Sequence, residues 1–246
     1  MGYRSVEGDP KVIQNNMKRV QEQGFINYFG MQRFGTGNVP SHHVGRAVLQ
    51  GDWKLAVELI LDPNNRQDTG KALMIYKETG DIPKTLRQLK PYTIEHRVLT
   101  GLIRNGKTAF YNAFSCLPTN MKTLYVHSYQ SFIWNSIVSL RLEQHGLQVV
   151  EGDLVLLSEQ PILHNERSEE EEAAEMDQEE VDLDSKMRQQ VHVVTAEEVS
   201  CAAFSITDVV LPLPGSDVAN NTIMAKQYEE LMAKDNLKFD LDHKNK

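Results

Sequence analysis

The sequence predicts a helix-rich α+β fold, on three observations. Apolar residues recur at helical spacing through most of the first 146 residues. Beyond residue 146, short runs rich in valine and leucine lie between turn-forming residues, a pattern typical of strands. The composition changes only in one acidic stretch, so we expect one folded unit of mixed helix and strand.

The first predicted helix covers residues 10–23, and Gly24 is expected to end it. Residues 40–61 predict two helices that Gly51 separates, with Asp52 as the N-cap of the second. Residues 64–120 predict several short helices with glycine and proline breaks. The longest helical pattern is residues 124–146, with an apolar face of Tyr129, Phe132, Ile133, Ile137 and Leu140.

Residues 147–157 predict a β-hairpin that turns at Glu151, Gly152 and Asp153. Further along the chain we expect four elements, in the order strand, short capped helix, strand and final helix. They cover residues 191–195, 195–202, 206–218 and 223–236.

The acidity of the chain belongs to one segment. Residues 166–184 hold eleven acidic residues and one arginine, which leaves 25 basic and 23 acidic residues elsewhere, a net charge near +2. We expect residues 164–190 to be a disordered surface insertion. An alternative hypothesis makes residues 166–184 a docking segment for a basic protein. A remainder that is not acidic permits contact with phosphate.

Several protein classes are not indicated. No apolar run is long enough to span a membrane, and the N-terminus has no secretory signal. Cys116 and Cys201 are too few for a disulfide framework, so we expect free, buried thiols and an intracellular location. Nucleus, cytoplasm and mitochondrion are not distinguished. The eight histidines are scattered and no zinc motif occurs, so no metal site is expected.

The most unusual stretch is Gly24–Gly37, "GFINYFGMQRFGTG", with four aromatic residues and four glycines in fourteen positions. Gly30 and Gly35 have the spacing of a phosphate loop, but the required lysine and hydroxyl are missing. Aromatic faces stack on unpaired bases, and glycines let a backbone approach a ligand, so the composition suits RNA. The alternative is a tight loop whose aromatic side chains pack into the core.

The segment "INYFGMQRFG" resembles the signature of the TruD family of pseudouridine synthases, in particular its eukaryotic pseudouridylate synthase 7 and 7-like branch. The resemblance continues in order through "VPSHHVGRAVLQ", "YVHSYQSFIWN", "VVEGDLVLL" and "ITDVVLPLPGSDV". It implies isomerisation of uridine to pseudouridine in tRNA and some mRNA, without cofactor or metal, on a base flipped out of its stack.

The resemblance also implies roles for residues of this chain. Phe29 would stack near the target base, Asn27 would order the loop that holds the catalytic aspartate, and Gln32 and Arg33 would lie beside the active site. Phe34, Gln130, Trp134 and Asn135 would be structural support. The division it implies is a synthase-core fragment, 1–39, a TruD-type lobe, 40–237, containing the acidic insertion, 164–190, and a tail, 238–246.

The chain departs from the family pattern in two respects, an aspartate motif expected upstream and a further core segment expected downstream. The family's catalytic aspartate lies upstream of the signature, and here Asp9 is the single aspartate before Asn27 and lacks the motif. The resemblance therefore implies a middle portion cut at both ends, with no catalytic residue and an exposed patch of Phe25, Phe29 and Phe34. The alternatives are an RNA-binding module without chemistry and an acidic protein-interaction fragment.

Overall fold

The computed structural model describes residues 6–156, 191–215 and 222–238. Eleven α-helices in these ranges are numbered α1–α11 in chain order, and a 3₁₀-helix covers Ile206–Asp208. They are α1 Pro10–Gln23, α2 Met31–Phe34, α3 Ser41–Leu49, α4 Trp53–Ile60, α5 Gln67–Thr79, α6 Ile82–Leu86, α7 Ile94–Asn105, α8 Phe110–Ser115, α9 Thr119–His145, α10 Ala196–Ser200 and α11 Ala225–Lys234. The strands are β1 Leu154–Leu156, β2 Val191–Val193 and β3 Val209–Val210.

The helix boundaries follow local chemistry. The side chains of Asp52 and Thr93 accept hydrogen bonds from backbone N–H groups at the starts of α4 and α7. Thr195 and Glu198 form a reciprocal capping box at α10. These caps satisfy donors that have no partner within a helix, so these three helices begin where the sequence supplies an acceptor. The prediction of a helix-rich α+β fold is confirmed.

Helix α9 joins two apolar clusters. The first lies among α3–α8 and the start of α9, with Ala47, Val57, Leu99 and Leu102 at its centre. The second is formed by the middle of α9 and by α11, with Ile133, Ile137, Met224, Tyr228 and Met232 buried between them. Because one 27-residue helix contributes to both, it fixes their relative position.

Helix α3 lies very close to α9. A Cβ atom added to Gly45 would overlap the Tyr125 carbonyl oxygen and lie 2.8 Å from its carbonyl carbon. Only a residue without a side chain fits between these backbones.

We therefore expect Gly45→Ala to lower the free energy of unfolding by about 3 kcal/mol, since backbone must move to admit the methyl group. Urea denaturation followed by circular dichroism measures the loss. Gly30→Ala is the matched control, because a Cβ there meets no atom within 4 Å. A stability equal to that of Gly30→Ala would contradict close packing of α3 on α9.

The predicted hairpin over 147–157 is wrong. Strand β1 pairs antiparallel with β2 and β3, in the order β2-β1-β3, and residues 147–150 form no strand. The cause is Asp153, whose buried carboxylate accepts a hydrogen bond from Val150 N at 2.9 Å and pairs with Arg141 of α9. These bonds turn residues 147–153 around the C-terminal end of α9. Strand β1 therefore pairs with β2 and β3 and not with residues 147–150.

The strand and helices predicted over 191–236 are present as β2, α10 and α11, while the strand predicted over 206–218 is reduced to β3. Both cysteines are free as expected, but the expectation that they are buried is wrong, because both are exposed. Cys116 lies just after α8 and Cys201 just after α10, at helix ends that face solvent. The prediction that residues 164–190 are disordered concerns residues outside the described ranges.

Helix α1 presents an uncovered apolar stripe. Its residues Val12, Met17 and Val20 are each more than half exposed, and no residue of the helix is buried. The expected exposed patch of three phenylalanines is wrong in part. Phe25 is 77% exposed, but Phe29 and Phe34 are half-buried against helices α9 and α3.

Candidate functional site

The stretch Gly24–Gly37 is an extended segment that leads into one short helical turn and a loop. Residues 24–30 have no regular structure, α2 follows, and Gly24 and Gly35 bound this part with φ angles of 72° and 80°. Glycine suits both positions because other residues rarely adopt positive φ. The segment runs along α9, to which it is bonded at several points.

Phe29 is held by α9 through its backbone. The Asn135 side chain accepts a hydrogen bond from Phe29 N at 3.0 Å and donates one to Phe29 O at 3.0 Å. One amide therefore satisfies both backbone groups of a residue in irregular chain, as a strand neighbour would. The Phe29 ring packs edge-on against Trp134 at 5.3 Å, and the Arg33 guanidinium lies 5.5 Å from its centre.

The same helix binds the proline-rich segment 211–215. Trp134 Nε1 donates to Leu211 O at 2.8 Å, and Gln130 Nε2 donates to Pro214 O at 2.9 Å. Trp134 thus contacts Phe29 with its ring and Leu211 with its N–H. The geometry makes α9 a rigid support that sets Phe29 at a fixed position relative to residues 211–215.

The structure brings together only some of the predicted site residues. Phe29, Arg33, Trp134 and Asn135 form one contiguous group. Arg33 is also fixed by its carbonyl, which accepts a hydrogen bond from Ser128 Oγ at 2.7 Å. Asn27 and Gln32 are exposed, and neither makes a side-chain hydrogen bond to the rest of the described chain.

Sequence reasoning missed His42, which lies next to this group. Its ring stacks on Phe132 at 4.4 Å, nearly parallel, and meets Phe34 edge-on at 5.4 Å. Its Nδ1 is buried and has no hydrogen-bond partner among the described residues. The signal that could have identified it is its position, since His42 follows the aromatic stretch by five residues.

Burial lowers the pKa of His42 to about 4, with smaller effects from His43 and Arg46. The unfolded chain binds this proton at a pKa near 6.5, so between the two values the unfolded state holds more protons. Stability is therefore expected to fall by about 1–2 kcal/mol as the pH drops from 6.5 to 4, allowing for partial solvation of the ring.

His42→Phe keeps the stack on Phe132 and removes this titration, so its stability should depend less on pH. The check is urea unfolding of both proteins at pH 7 and pH 4.5. The pKa of His43 is also lowered, by burial and then by Arg46, and accounts for a remaining slope of the same sign. An undiminished slope in His42→Phe would contradict the assignment.

Asp235 connects the three helices α3, α9 and α11. It accepts hydrogen bonds from Tyr129 Oη at 2.9 Å and from Arg46 Nη1 at 3.1 Å, and its own carbonyl accepts from Gln50. Burial raises the pKa of Tyr129, and the hydrogen bond from its hydroxyl to Asp235 raises it further. Asp235 therefore ties the end of α11 to α3 and α9.

Within the ranges described above, no group of three or more metal-ligating side chains is present. No helix there is long and apolar enough to cross a membrane.

Comparison with known proteins gives consistent matches. Residues 4–240 match the family described as tRNA pseudouridine synthase D (TruD). The chain is 37% identical to the mouse (Mus musculus) pseudouridylate synthase 7 homolog, covering 96% of this chain and 32% of that protein. It is 36% identical to multisubstrate pseudouridine synthase 7 of Schizosaccharomyces pombe, covering 87% of this chain and 32% of that protein.

Among solved structures, a Methanosarcina mazei protein described as a tRNA pseudouridine synthase D (TruD) aligns with a TM-score of 0.68 at 25% identity. The alignment covers 96% of this chain and 52% of that one. The chain thus spans about a third of the length of the curated relatives that it matches.

Proposed function

The chain belongs to the TruD family of pseudouridine synthases, as its motifs suggested, and from this premise we propose that it forms one wall of the active site of an RNA pseudouridine synthase. The family acts on RNA. The proposed substrates are tRNA and some mRNA, inside the cell. The observation that carries the proposal is the fixed position of Phe29, whose backbone is held by Asn135 and whose ring is held by Trp134.

The reaction requires a surface that holds the uracil after the glycosidic bond breaks. The detached base must rotate and rejoin the ribose through carbon without escaping, so the site needs a flat apolar face and little water. The half-buried Phe29 ring packs T-shaped against Trp134 and has the Arg33 guanidinium over one face, so its opposite face is the one proposed to hold the base. Its fixed backbone keeps that face in place at no further entropic cost when the base arrives.

Arg33 and Asn27 receive complementary roles in this proposal. Arg33 lies over the Phe29 ring and carries a positive charge that would attract an RNA phosphate. Asn27 is exposed two residues before Phe29 and would contact the loop that carries the catalytic aspartate. In this proposal the aspartate that breaks the glycosidic bond belongs to a part of the enzyme other than this chain. Gln32 would lie at the rim of the active site.

The division into a core fragment, 1–39, and a lobe, 40–237, also remains a proposal. The hydrogen bonds that join Phe29 and Arg33 to α9 support this division. In it, the core fragment packs on the surface of the lobe at α9. A basic protein is the proposed partner for the acidic residues 166–184. Loss of binding to a basic protein after deletion of those residues would support that partner.

A chimera tests the main proposal. This chain replaces the matching third of the mouse homolog, and pseudouridine is measured in unmodified tRNA transcripts. We expect the chimera to form pseudouridine and the isolated chain to form none, because the isolated chain holds only part of the site. Product from the isolated chain, or none from a folded chimera, would overturn the proposal.

A further inference from the structure

A cleft of about 670 Å³ opens directly after the aromatic stretch. Its walls are the loop 35–41, the loop 60–68 and the first turns of α7 and α9. The two loops are bonded to each other, since Asn38 N donates to Asn65 O at 3.1 Å and Asn38 Nδ2 donates to Asn64 O at 2.7 Å. The cleft has the volume of a site for a small ligand or a single nucleotide.

Glu95 gives this cleft its chemistry. Glu95 lines the cleft and is only 3% exposed, yet its carboxylate makes no hydrogen bond within the described chain, and Oε2 is fully buried. A buried carboxylate is costly unless it is paired and hydrogen-bonded. The orphaned oxygen therefore indicates a missing donor, which a ligand in the cleft can supply.

The cation near Glu95 is already engaged. Arg66 donates to Asp68 from Nε at 3.1 Å and from Nη2 at 3.0 Å. The hydrogen bond to Asp68 raises the pKa of the Arg66 guanidinium most, and the charge of Glu95 adds a smaller effect. Arg66 and Glu95 line the same cleft, and no hydrogen bond joins them. Both Arg66 and Asp68 are about half exposed, at the mouth of the cleft.

The ligand class follows from these groups. A carboxylate accepts hydrogen bonds through both of its oxygens, which match two parallel N–H donors. Among RNA bases, guanine alone has such a pair, N1–H and N2–H, on its Watson–Crick edge. Ile94, Met121 and Leu124 add apolar surface for a flat ring. An arginine side chain of a protein offers a similar fork, but it has no ring to cover the apolar surface of Ile94, Met121 and Leu124.

We propose that this cleft binds an unpaired guanine of the RNA substrate, at a nucleotide other than the target uridine, with Glu95 accepting from its N1–H and N2–H groups. The Nη1 group of Arg66, which is not bonded to Asp68, is the donor that would contact the adjoining phosphate. The inference rests on the proposed function, because it takes RNA as the ligand. It makes the cleft a specificity site, one loop away from Phe29 in the chain.

The test measures binding of the whole chain to three single-stranded pentanucleotides by fluorescence anisotropy. They are uridine pentamers that carry guanosine, inosine or adenosine at the central position. We expect the guanosine RNA to bind about 10-fold more tightly than the inosine RNA, which lacks the N2 amino group, and than the adenosine RNA. Glu95→Gln should abolish this preference, while Glu143→Gln, at an exposed position of α9, should keep it.

Equal affinity for all three RNAs, no measurable binding, or a preference that persists in Glu95→Gln would each overturn the inference. Circular dichroism and the midpoint of urea unfolding show that Glu95→Gln is folded. The failure of this inference is separate from that of the proposed function, because the chimera assay on tRNA measures product and does not depend on the preference for guanine.

Discussion

Replacing Asp153 by alanine is expected to lower the free energy of unfolding by about 3–5 kcal/mol, the largest stability effect that the structure indicates. The Asp153 and Arg141 side chains are 0% and 3% exposed, and they are joined by two bonds of 3.1 and 2.6 Å. The substitution leaves the buried guanidinium with only the Gly146 and Gln148 carbonyls as acceptors. It also releases Val150 N from its acceptor.

Urea unfolding measured by circular dichroism checks this result. Glu58→Ala is the control, since the pair of Glu58 with Lys54 lies at the surface, with side chains 58% and 65% exposed, and should contribute less than about 0.5 kcal/mol. If Asp153→Ala lost under about 1 kcal/mol, water would have to reach Arg141, and the ion pair could not be the reason for the path of residues 147–153.

Replacing Phe29 by alanine is expected to reduce pseudouridine formation by the chimera about 10- to 100-fold, since one stacked base contributes about 1–3 kcal/mol. The ring is the face on which the proposed function depends, and its removal leaves the backbone bonds to Asn135 in place. The measurement is the initial rate with unmodified tRNA at substrate concentrations below KM.

Phe25→Ala is the matched control, because that ring is 77% exposed and should not affect the rate. Asn135→Ala tests positioning, since it keeps the ring but removes both bonds to Phe29, and it should reduce kcat more than it raises KM. A chimera carrying Phe29→Ala that is as active as its parent would exclude Phe29 as a stacking platform.

The sequence predicted helices well because their chemistry is local. The Asp52 cap, the Thr195 capping box and the glycine after α1 act within a few residues, so they are recognisable from the sequence alone. The partners of β1 depend on distant residues. The apolar run at 154–156 suggested a neighbouring strand, but the Asp153 carboxylate turned the chain toward Arg141, and no local pattern carries that information.

The candidate site was also predictable from the sequence only in part. Phe29 and Asn135 were singled out through family resemblance, but no pattern in the sequence shows that an amide 106 residues away bonds both backbone groups of Phe29. The Glu95 cleft was missed altogether. A lone glutamate in the first turn of a helix resembles ordinary dipole stabilisation, and only burial reveals that its carboxylate has no partner.

The position of Trp134 allows its intrinsic fluorescence to report on the surroundings of Phe29. The chain has two tryptophans, Trp53 and Trp134, so Trp53→Phe leaves a single indole, and that indole touches the Phe29 ring and donates its N–H to Leu211 O. A nucleobase that arrives at Phe29 would change the surroundings of this fluorophore and quench or shift its emission. Occupancy of the site could then be followed in real time by stopped-flow mixing, without any label on the RNA.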